Sequence, residues 1–281
     1  MQIIESISDM RQWSDRHWHG LRRIVLVPTM GFLHEGHLSL MRLARLRGDL
    51  VVASIFVNPA QFSPGEDFAG YPRDFERDRR LLEAEQVDVL FHPSEQQIFP
   101  AGAQTFVEVE KLSLPLCGAA RPGHFRGVAT VVVKLFSIVR PQVAIFGEKD
   151  YQQLQVIRRM VRDLSLAVEI VGHPIVREPD GLALSSRNAY LNAAERTAAL
   201  CLSRALCIAE RLVKRGEVKA TVIIDRVRAE LNNQPLATVD YVKVCDAEFL
   251  EDIDEVNEPT LLALAVRIGK ARLIDNRMLK V

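Results

Sequence analysis

The segment Pro28-Thr-Met-Gly-Phe-Leu-His-Glu-Gly-His37 carries two histidines and two glycines directly after the apolar run Ile24-Val-Leu-Val27. The run is short, β-branched and closed by Pro28, which predicts a buried strand. Leu40, Leu43, Ala44 and Arg47 then recur at helical spacing, so a helix is expected to begin near His37. Gly31 and Gly36 would let the chain bend and approach a ligand closely. A helix start presents unpaired N–H groups and the positive end of the helix dipole, which suits a phosphate. Imidazoles at positions 34 and 37 can face one side as donors to its oxygens. Two plainer readings of the histidines remain, a metal pair and an ordinary turn. The H-E-x-x-H zinc pattern is not met, because His37 follows Glu35 by only two residues. No Cys or further His lies nearby to complete a zinc site.

Ser185-Ser-Arg187 combines two hydroxyls with a guanidinium fork, the composition of a phosphate clamp. Its plainer reading is an N-cap for a helix near Ala193. Lys149, in Gly147-Glu-Lys-Asp150, taken alone reads as a surface lysine. Lys134 lies in an apolar helical stretch and reads as a stem on apolar surface with its head in water. Asp78 reads as part of a solvated helix face rich in Arg and Glu, and His17 and His19 as surface residues. Gly118-Ala-Ala-Arg-Pro-Gly123 has phosphate-loop glycine spacing but is followed by His124 and Phe125, not by Lys and Ser or Thr. No G-x-G-x-x-G follows the first strand, so a dinucleotide site is not expected.

The elements that must position these residues alternate through the first two thirds of the chain. Strands are expected at Ile24–Val27, Leu50–Val57, Val87–Phe91, Val143–Phe146 and Val168–Val176. Helices are expected at Leu38–Arg47, Asp74–Gln86, Arg126–Val139 and Tyr151–Leu164. This repeat predicts an α/β fold, a doubly wound parallel sheet with helices on both faces. Its ligands would sit at the carboxyl ends of the strands, where the turn after Ile24–Val27, Asn58-Pro-Ala-Gln61 and Gly147–Asp150 all fall. After Asn188 the pattern changes to two helices, Ala193–Arg215 and Thr221–Leu231. Strands at Val239–Val244, Thr260–Ile268 and Ala271–Ile274 follow, with a tight turn at Gly269-Lys270. A smaller α+β domain is therefore expected over residues 177–281, after a first domain over 1–176.

The 281 residues carry 36 Lys plus Arg against 36 Asp plus Glu, a balance that argues against nucleic acid or a membrane surface as a general partner. Cys117, Cys201, Cys207 and Cys245 show no C-x-x-C spacing and read as reduced packing residues of a cytoplasmic protein. No segment has signal-peptide or membrane-spanning character, which supports the same location.

Pro28–Leu40 resembles the HxGH-type motif of the pantothenate synthetase family, and more distantly that of nucleotidyltransferases and class I aminoacyl-tRNA synthetases. Five further blocks are similar to that family and run in its order: Phe56–Phe62, Tyr71-Pro-Arg73, His124–Thr130, Phe146–Gln153 and Leu184–Asn188. The resemblance implies a Rossmann-like ATP- and pantoate-binding domain. With Lys149 on that domain and Ser185–Arg187 on the second, the small domain is expected to close over ATP as a lid, hinged near Val176 to Gly181 where prolines and a glycine separate the two patterns. It implies ATP-dependent condensation of pantoate with β-alanine, releasing AMP and pyrophosphate, in a homodimer. ATP would enter as a substrate with Mg2+, with no prosthetic group and no protein metal ligand. His37, His34 and Lys149 would be catalytic. ATP would be bound by Met30, Gly31, Phe32, Leu33, His34, Glu35, Gly36 and His37, by Gly147, Glu148, Lys149 and Asp150, and by Val176, Leu184, Ser185, Ser186 and Arg187. Gln61 and Gln153 would read pantoate, whose hydroxyls and carboxylate suit an amide that donates and accepts, with Gln61 also near β-alanine. Phe32 is bulkier than the family's usual residue at that point. A related HxGH adenylyltransferase and a non-catalytic nucleotide-binding regulator are the alternatives.

Overall fold

The computed structural model describes residues 1–63, 65–257 and 259–280. Contacts divide the chain into two units. Met1–Ser113, Arg121–Glu148 and Val156–Pro174 form the first; Leu114–Ala120, Lys149–Gln155 and the chain from Ile175 onward form the second. The sequence places this break after Val176 and keeps Lys149 with the sheet. Lys149 groups instead with the second unit: its carbonyl accepts the Asn276 side-chain amide (3.0 Å), and its side chain lines a cavity with Leu182 and Ser185.

The first unit is built on strands β1 (Gln2–Ile4), β2 (Ile24–Thr29), β3 (Leu50–Ile55), β4 (Val89–Phe91), β5 (Val143–Gly147) and β6 (Glu169–His173). They pair in parallel in the order β1-β4-β3-β2-β5-β6. Helices α1 (Ile7–His19), α2 (Glu35–Arg47), α3 (Phe75–Ala84), α4 (Glu95–Ile98) and α6 (His124–Val139) connect them; α5 (Cys117–Ala120) and the first turn of α7 (Tyr151–Asp163) count with the second unit. Every residue of β3 is buried, as is required of a parallel strand covered on both faces. Val25, Val27, Val51, Ala53 and Ile145 pack on Met41 and Ala44 of α2 in one core. The chain runs from β2 outward to β3 and β4, then returns to place β5 on the other side of β2. The carboxyl end of β2 is thus the point where strand order reverses, the place where ligands of such sheets bind. β6 stops at His173, short of the expected end, because Pro174 has no N–H for the ladder.

Strand β1 and helices α1, α4 and α5 escape the sequence pattern, the last two being only four residues each. Strand β1 is three residues long, too short for a period of two to register. Helix α1 buries only Met10, Trp13 and Ser14, so its apolar stripe is sparse; Ser6 caps it by accepting the Asp9 N–H.

The second unit holds α8 (Ala193–Ala198), α9 (Leu200–Lys214), α10 (Ala220–Asn232) and an antiparallel sheet of β7 (Ala237–Asp246), β8 (Thr260–Ile268) and β9 (Ala271–Leu279). Leu262, Leu264 and Val266 of β8 share a core with Leu202 and Leu206 of α9 and with Ile223 and Val227 of α10. The single helix expected over 193–215 breaks at Ala199, where a tight bond from the Leu202 N–H to the Ala199 carbonyl starts a new helix. Strand β9 continues five residues past Ile274 to Leu279. The polar pair Asp275-Asn276 hid this continuation, and both residues are buried with partners. All four cysteines are free thiols. Burial pushes the Cys201 thiol up to about 11 and the Cys245 thiol up to about 12, which leaves neither as a ready nucleophile. Among the described residues no helix is long and apolar enough to cross a membrane.

Asp275 is 2% exposed and is held by two parallel bonds from Arg177, at 2.7 and 2.8 Å. Arg177→Ala would leave this carboxylate buried without its cation, which destabilises by about 3–5 kcal/mol. Urea unfolding followed by circular dichroism is expected to show a clearly lower midpoint for that variant; an unchanged midpoint would contradict the pairing.

Candidate active site

Leaving β2, the chain must reverse into α2 within a few residues. Gly31 makes the turn at φ +82, where a Cβ would lie 3.0 Å from both Asp78 Oδ2 and Ile55 Cγ2. Phe32 also has left-handed backbone, φ +50, which is unfavourable for a residue with a Cβ. Asp78, on α3, holds it there: Oδ2 accepts the Phe32 N–H (2.6 Å) and Oδ1 the Leu33 N–H (2.7 Å). Arg77 donates to the Leu33 carbonyl (2.8 Å) and places its guanidinium 5.4 Å from the Phe32 ring. This corrects the reading of Asp78 as a solvated residue, since it is 1% exposed. It also gives the bulk of Phe32 a partner. Burial raises the Asp78 carboxyl above the ordinary carboxylate range, while the two N–H bonds and Arg77 pull the other way.

Helix α2 begins at Glu35, two residues earlier than the spacing indicates, with His34 extended at its N-cap (φ −137). Gly36 lies within its first turn, so the bend belongs to Gly31 alone of the two glycines. The His34 N–H donates to His37 Nδ1 (3.3 Å), and the two rings lie 4.0 Å apart. Since Nδ1 accepts, a neutral His37 carries its proton on Nε2, as a phosphate donor requires. Met30 accepts at sulfur from the Gln61 amide (2.9 Å). Leu33 is 1% exposed in the core, with its N–H bonded to Asp78 and its carbonyl to Arg77; its part is to fix the turn. Glu35 is exposed and pairs with Arg42.

Gln61 ends a short 3-10 turn (Pro59–Gln61) after β3 and is 9% exposed. Its amide orientation follows from Asn58. Asn58 Oδ1 accepts the Ala60 N–H (3.2 Å), so Nδ2 faces the Gly127 carbonyl and Gln61 Oε1, both at 3.1 Å. Gln61 Oε1 must then accept, and Nε2 is the donor side. Gly127 on α6 allows this approach, since a Cβ there would overlap the Ala60 carbonyl. Lys134 on the same helix donates to the Ile98 carbonyl and lies 5.1 Å from the Phe99 ring. Around the turn, Glu66 accepts from Arg121 at 2.6 and 2.7 Å and from the Ser63 N–H. Burial acts to raise the Glu66 carboxyl, but Arg121 outweighs it and holds the group below its ordinary value.

Gly147 ends β5, and Glu148–Asp150 forms a 3-10 turn before α7. In the second unit, Lys149 Nζ lies 3.8 Å from exposed Asp150. A cavity lined by Lys149, Ser185, Asn188 and Asp275 over Leu182 and Leu202 brings Lys149 and Ser185 together. Val176 and Leu184 face each other across a hairpin, with the Leu184 N–H bonded to the Val176 carbonyl (3.0 Å) and an antiparallel bridge between Arg177 and Ala183. Ser185 accepts the Arg187 N–H (3.3 Å) and caps the short turn of Ser186–Tyr190, while Asn192 caps α8. The buried Ser186 and half-buried Arg187 follow within that turn. Gln153 is half-buried; its neighbour Gln152 is buried, with its amide bonded to the Cys117 N–H and the Pro115 carbonyl. Among the described residues no three His, Cys, Asp or Glu side chains converge as a metal-binding group. Asp78, read as a solvated residue, and Arg177 are site-building residues that spacing did not reveal, whereas Asn58 and His124 stand in stretches the sequence had singled out.

A doubly wound α/β protein with a histidine-bearing helix start at its switch point is a nucleotide-phosphate binder by class. Its sequence matches the pantoate–β-alanine ligase family over residues 2–278, and the chain belongs to that family. The pantothenate synthetase of Geobacter sulfurreducens is 57% identical over 99% of both chains, and that of Thermotoga neapolitana 54% identical over 99% of this chain and 100% of the other. Among solved structures, the pantothenate synthetase of Thermus thermophilus superposes with a TM-score of 0.95 at 46% identity, covering 99% of each chain. A pantoate–β-alanine ligase from Francisella tularensis, complexed with β-γ ATP and β-alanine, gives a TM-score of 0.81 at 34% identity, over 99% of this chain and 97% of the other.

Asp78→Asn would set an amide N–H against one of the two loop N–H groups, and an unmade buried bond of this kind destabilises by about 1–3 kcal/mol. Calorimetric titration is expected to show weakened ATP binding with the fold retained by circular dichroism. Glu66 makes a second prediction. Its folded value is depressed, so its contribution is complete above the unfolded carboxyl's value, about 4.3, and is lost as pH falls through the lower folded value. Urea midpoints of wild type should therefore fall faster from pH 6 to acid than those of Glu66→Gln; parallel curves would contradict the Arg121 pairing.

Proposed function

We propose that this chain joins pantoate to β-alanine with ATP, giving pantothenate, AMP and pyrophosphate through a pantoyl adenylate. The family match over residues 2–278 carries the reading, and the histidine helix start on Asp78 supports it. Amide formation from a carboxylate needs activation, because a carboxylate oxygen leaves poorly. Pantoate oxygen attacks the α-phosphorus and pyrophosphate leaves with its bridging oxygen. The β-alanine amine then attacks the acyl carbon, AMP departs, and the amine loses a proton. The protein needs no nucleophile for this; it needs in-line positioning and donors where phosphate charge develops.

The roles assigned to individual residues are our reading. His37, through Nε2–H, and His34 donate to phosphate oxygens at the start of α2, whose N–H groups and dipole favour the same charge. Lys149, Ser185, Ser186 and Arg187 bind triphosphate, supported by the shared cavity of Lys149 and Ser185. The hairpin carrying Val176 and Leu184 serves the nucleotide with its backbone. Gln61 presents Nε2 as a donor to pantoate, and Gln153 is its second reader. Mg2+ enters on the triphosphate oxygens, and the homodimer rests on the family likeness. A related adenylyltransferase would explain the helix start but not the oriented amide of Gln61.

Exchange of pyrophosphate into ATP should require pantoate and proceed without β-alanine. His37→Ala is expected to slow that exchange by about 10²–10³-fold, the usual effect of losing one preorganised donor. Wild-type exchange that ignores pantoate would overturn the substrate assignment, and a His37→Ala rate within a few-fold of wild type would remove that histidine from the chemistry.

A further inference from the structure

The main chain of Gln61 is held from outside as firmly as its side chain. Its carbonyl accepts from His124 Nδ1 at 2.7 Å and from Arg121 Nη2 at 3.1 Å. Arg121 Nη1 lies 3.1 Å from the other ring nitrogen, His124 Nε2. A carbonyl cannot donate, so Nδ1 carries a proton; a guanidinium cannot accept, so Nε2 does not. His124 is therefore a neutral ring of one defined tautomer, and it is 8% exposed. Arg121 is fixed in turn by the two carboxylate oxygens of Glu66, at 2.6 and 2.7 Å. One turn along α6, Gly127 lets the helix backbone press on the same 3-10 turn. The first two turns of α6 thus grip the peptide that carries Gln61, while Asn58 turns its amide.

We propose that His124 is a positioning residue: its neutral Nδ1–H form, selected by the Glu66–Arg121 pair, fixes the Gln61 carbonyl and so aims the Gln61 amide at the acid to be activated. The proposal rests on the reading of Gln61 as the pantoate contact. His124 itself touches no reacting atom in this scheme; it acts through Gln61. It also gives the block His124–Thr130 a physical role: a donor at its first residue and a missing side chain at its fourth.

The test compares two amide replacements. In His124→Asn the side-chain nitrogen reaches about where Nδ1 stands, so the bond to the Gln61 carbonyl can be kept. In His124→Gln the amide extends to the position of Nε2 and that bond is lost. His124→Gln and His124→Ala should raise the pantoate KM about tenfold or more, the scale of effect that a displaced positioning group produces. The ATP KM should move less than about threefold in the same variants, because the ATP contacts are untouched. His124→Asn should bring the pantoate KM back toward wild type. Nitrogen-15 NMR of histidine-labelled wild type should show a neutral ring protonated at Nδ1, and Arg121→Gln should shift it toward the Nε2 form. Equal pantoate KM values for the Asn and Gln variants, with both folded by circular dichroism, would overturn the proposal. A wild-type ring protonated at Nε2, or at both nitrogens, would do so as well. A wild-type enzyme inert with pantoate would overturn the functional reading instead, and the tautomer measurement, which uses no substrate, distinguishes the two failures.

Discussion

A single buried carboxylate governs the geometry of the histidine-bearing helix start. Asp78 accepts the N–H groups of Phe32 and Leu33, and in doing so holds two successive residues, Gly31 and Phe32, in left-handed backbone. Such conformations persist only where the surroundings over-determine them. Here the surroundings are the two bonds to Asp78, the Arg77 bond to the Leu33 carbonyl and the Thr29 hydroxyl, which accepts the Gly31 N–H and donates to the Ser54 carbonyl. With the turn fixed, His34 falls at the N-cap of α2 and His37 one turn later, and the helix start opens at the carboxyl end of β2. Strand order reverses at β2, so no neighbouring crossover covers that end.

The turn that carries Gln61 follows a similar logic with neutral groups. Asn58 is 1% exposed and satisfies the Ala60 N–H and the Gly127 carbonyl at once. Those two bonds leave its amide one orientation, which in turn leaves Gln61 one orientation. Chains of this kind transmit a choice of donor and acceptor over several residues without any charge. A charge enters only at the outer end, in the Glu66–Arg121 pair, where bidentate geometry makes the guanidinium a fixed fork rather than a mobile cation.

In the second unit the corresponding fixed point is the Arg177–Asp275 pair. It ties the hairpin of residues 176–184 to β9, and β9 in turn bonds the Lys149 carbonyl through Asn276. Burying an ion pair is weak grounds for stability, but a broken one leaves an uncompensated charge, so the hairpin has one permitted placement against the strand. Val176 and Leu184, eight residues apart in sequence, are paired by the hairpin's own backbone bonds.

The alternation of apolar runs and amphipathic stretches was enough to declare a parallel sheet with helices on both faces and a smaller α+β unit. The apolar period depends on burial alone, and burial is written residue by residue. The histidine helix start and the serine–arginine turn were legible as local clusters of residue types, since their members stand side by side in the sequence, but the Asp78 contacts that fix the first were not. Elements with little apolar signal, such as β1 and α1, stayed hidden, and so did the polar continuation of β9 through Asp275 and Asn276. Tertiary structure alone decided that Asp78 is buried, that the Lys149 carbonyl meets Asn276, that Gln61 Oε1 faces Asn58, and that the His124 ring lies between the Gln61 carbonyl and Arg121. Each of these depends on a partner between three and 127 positions away. A polar side chain's role is set by what it finds there, and sequence spacing does not record which partners meet.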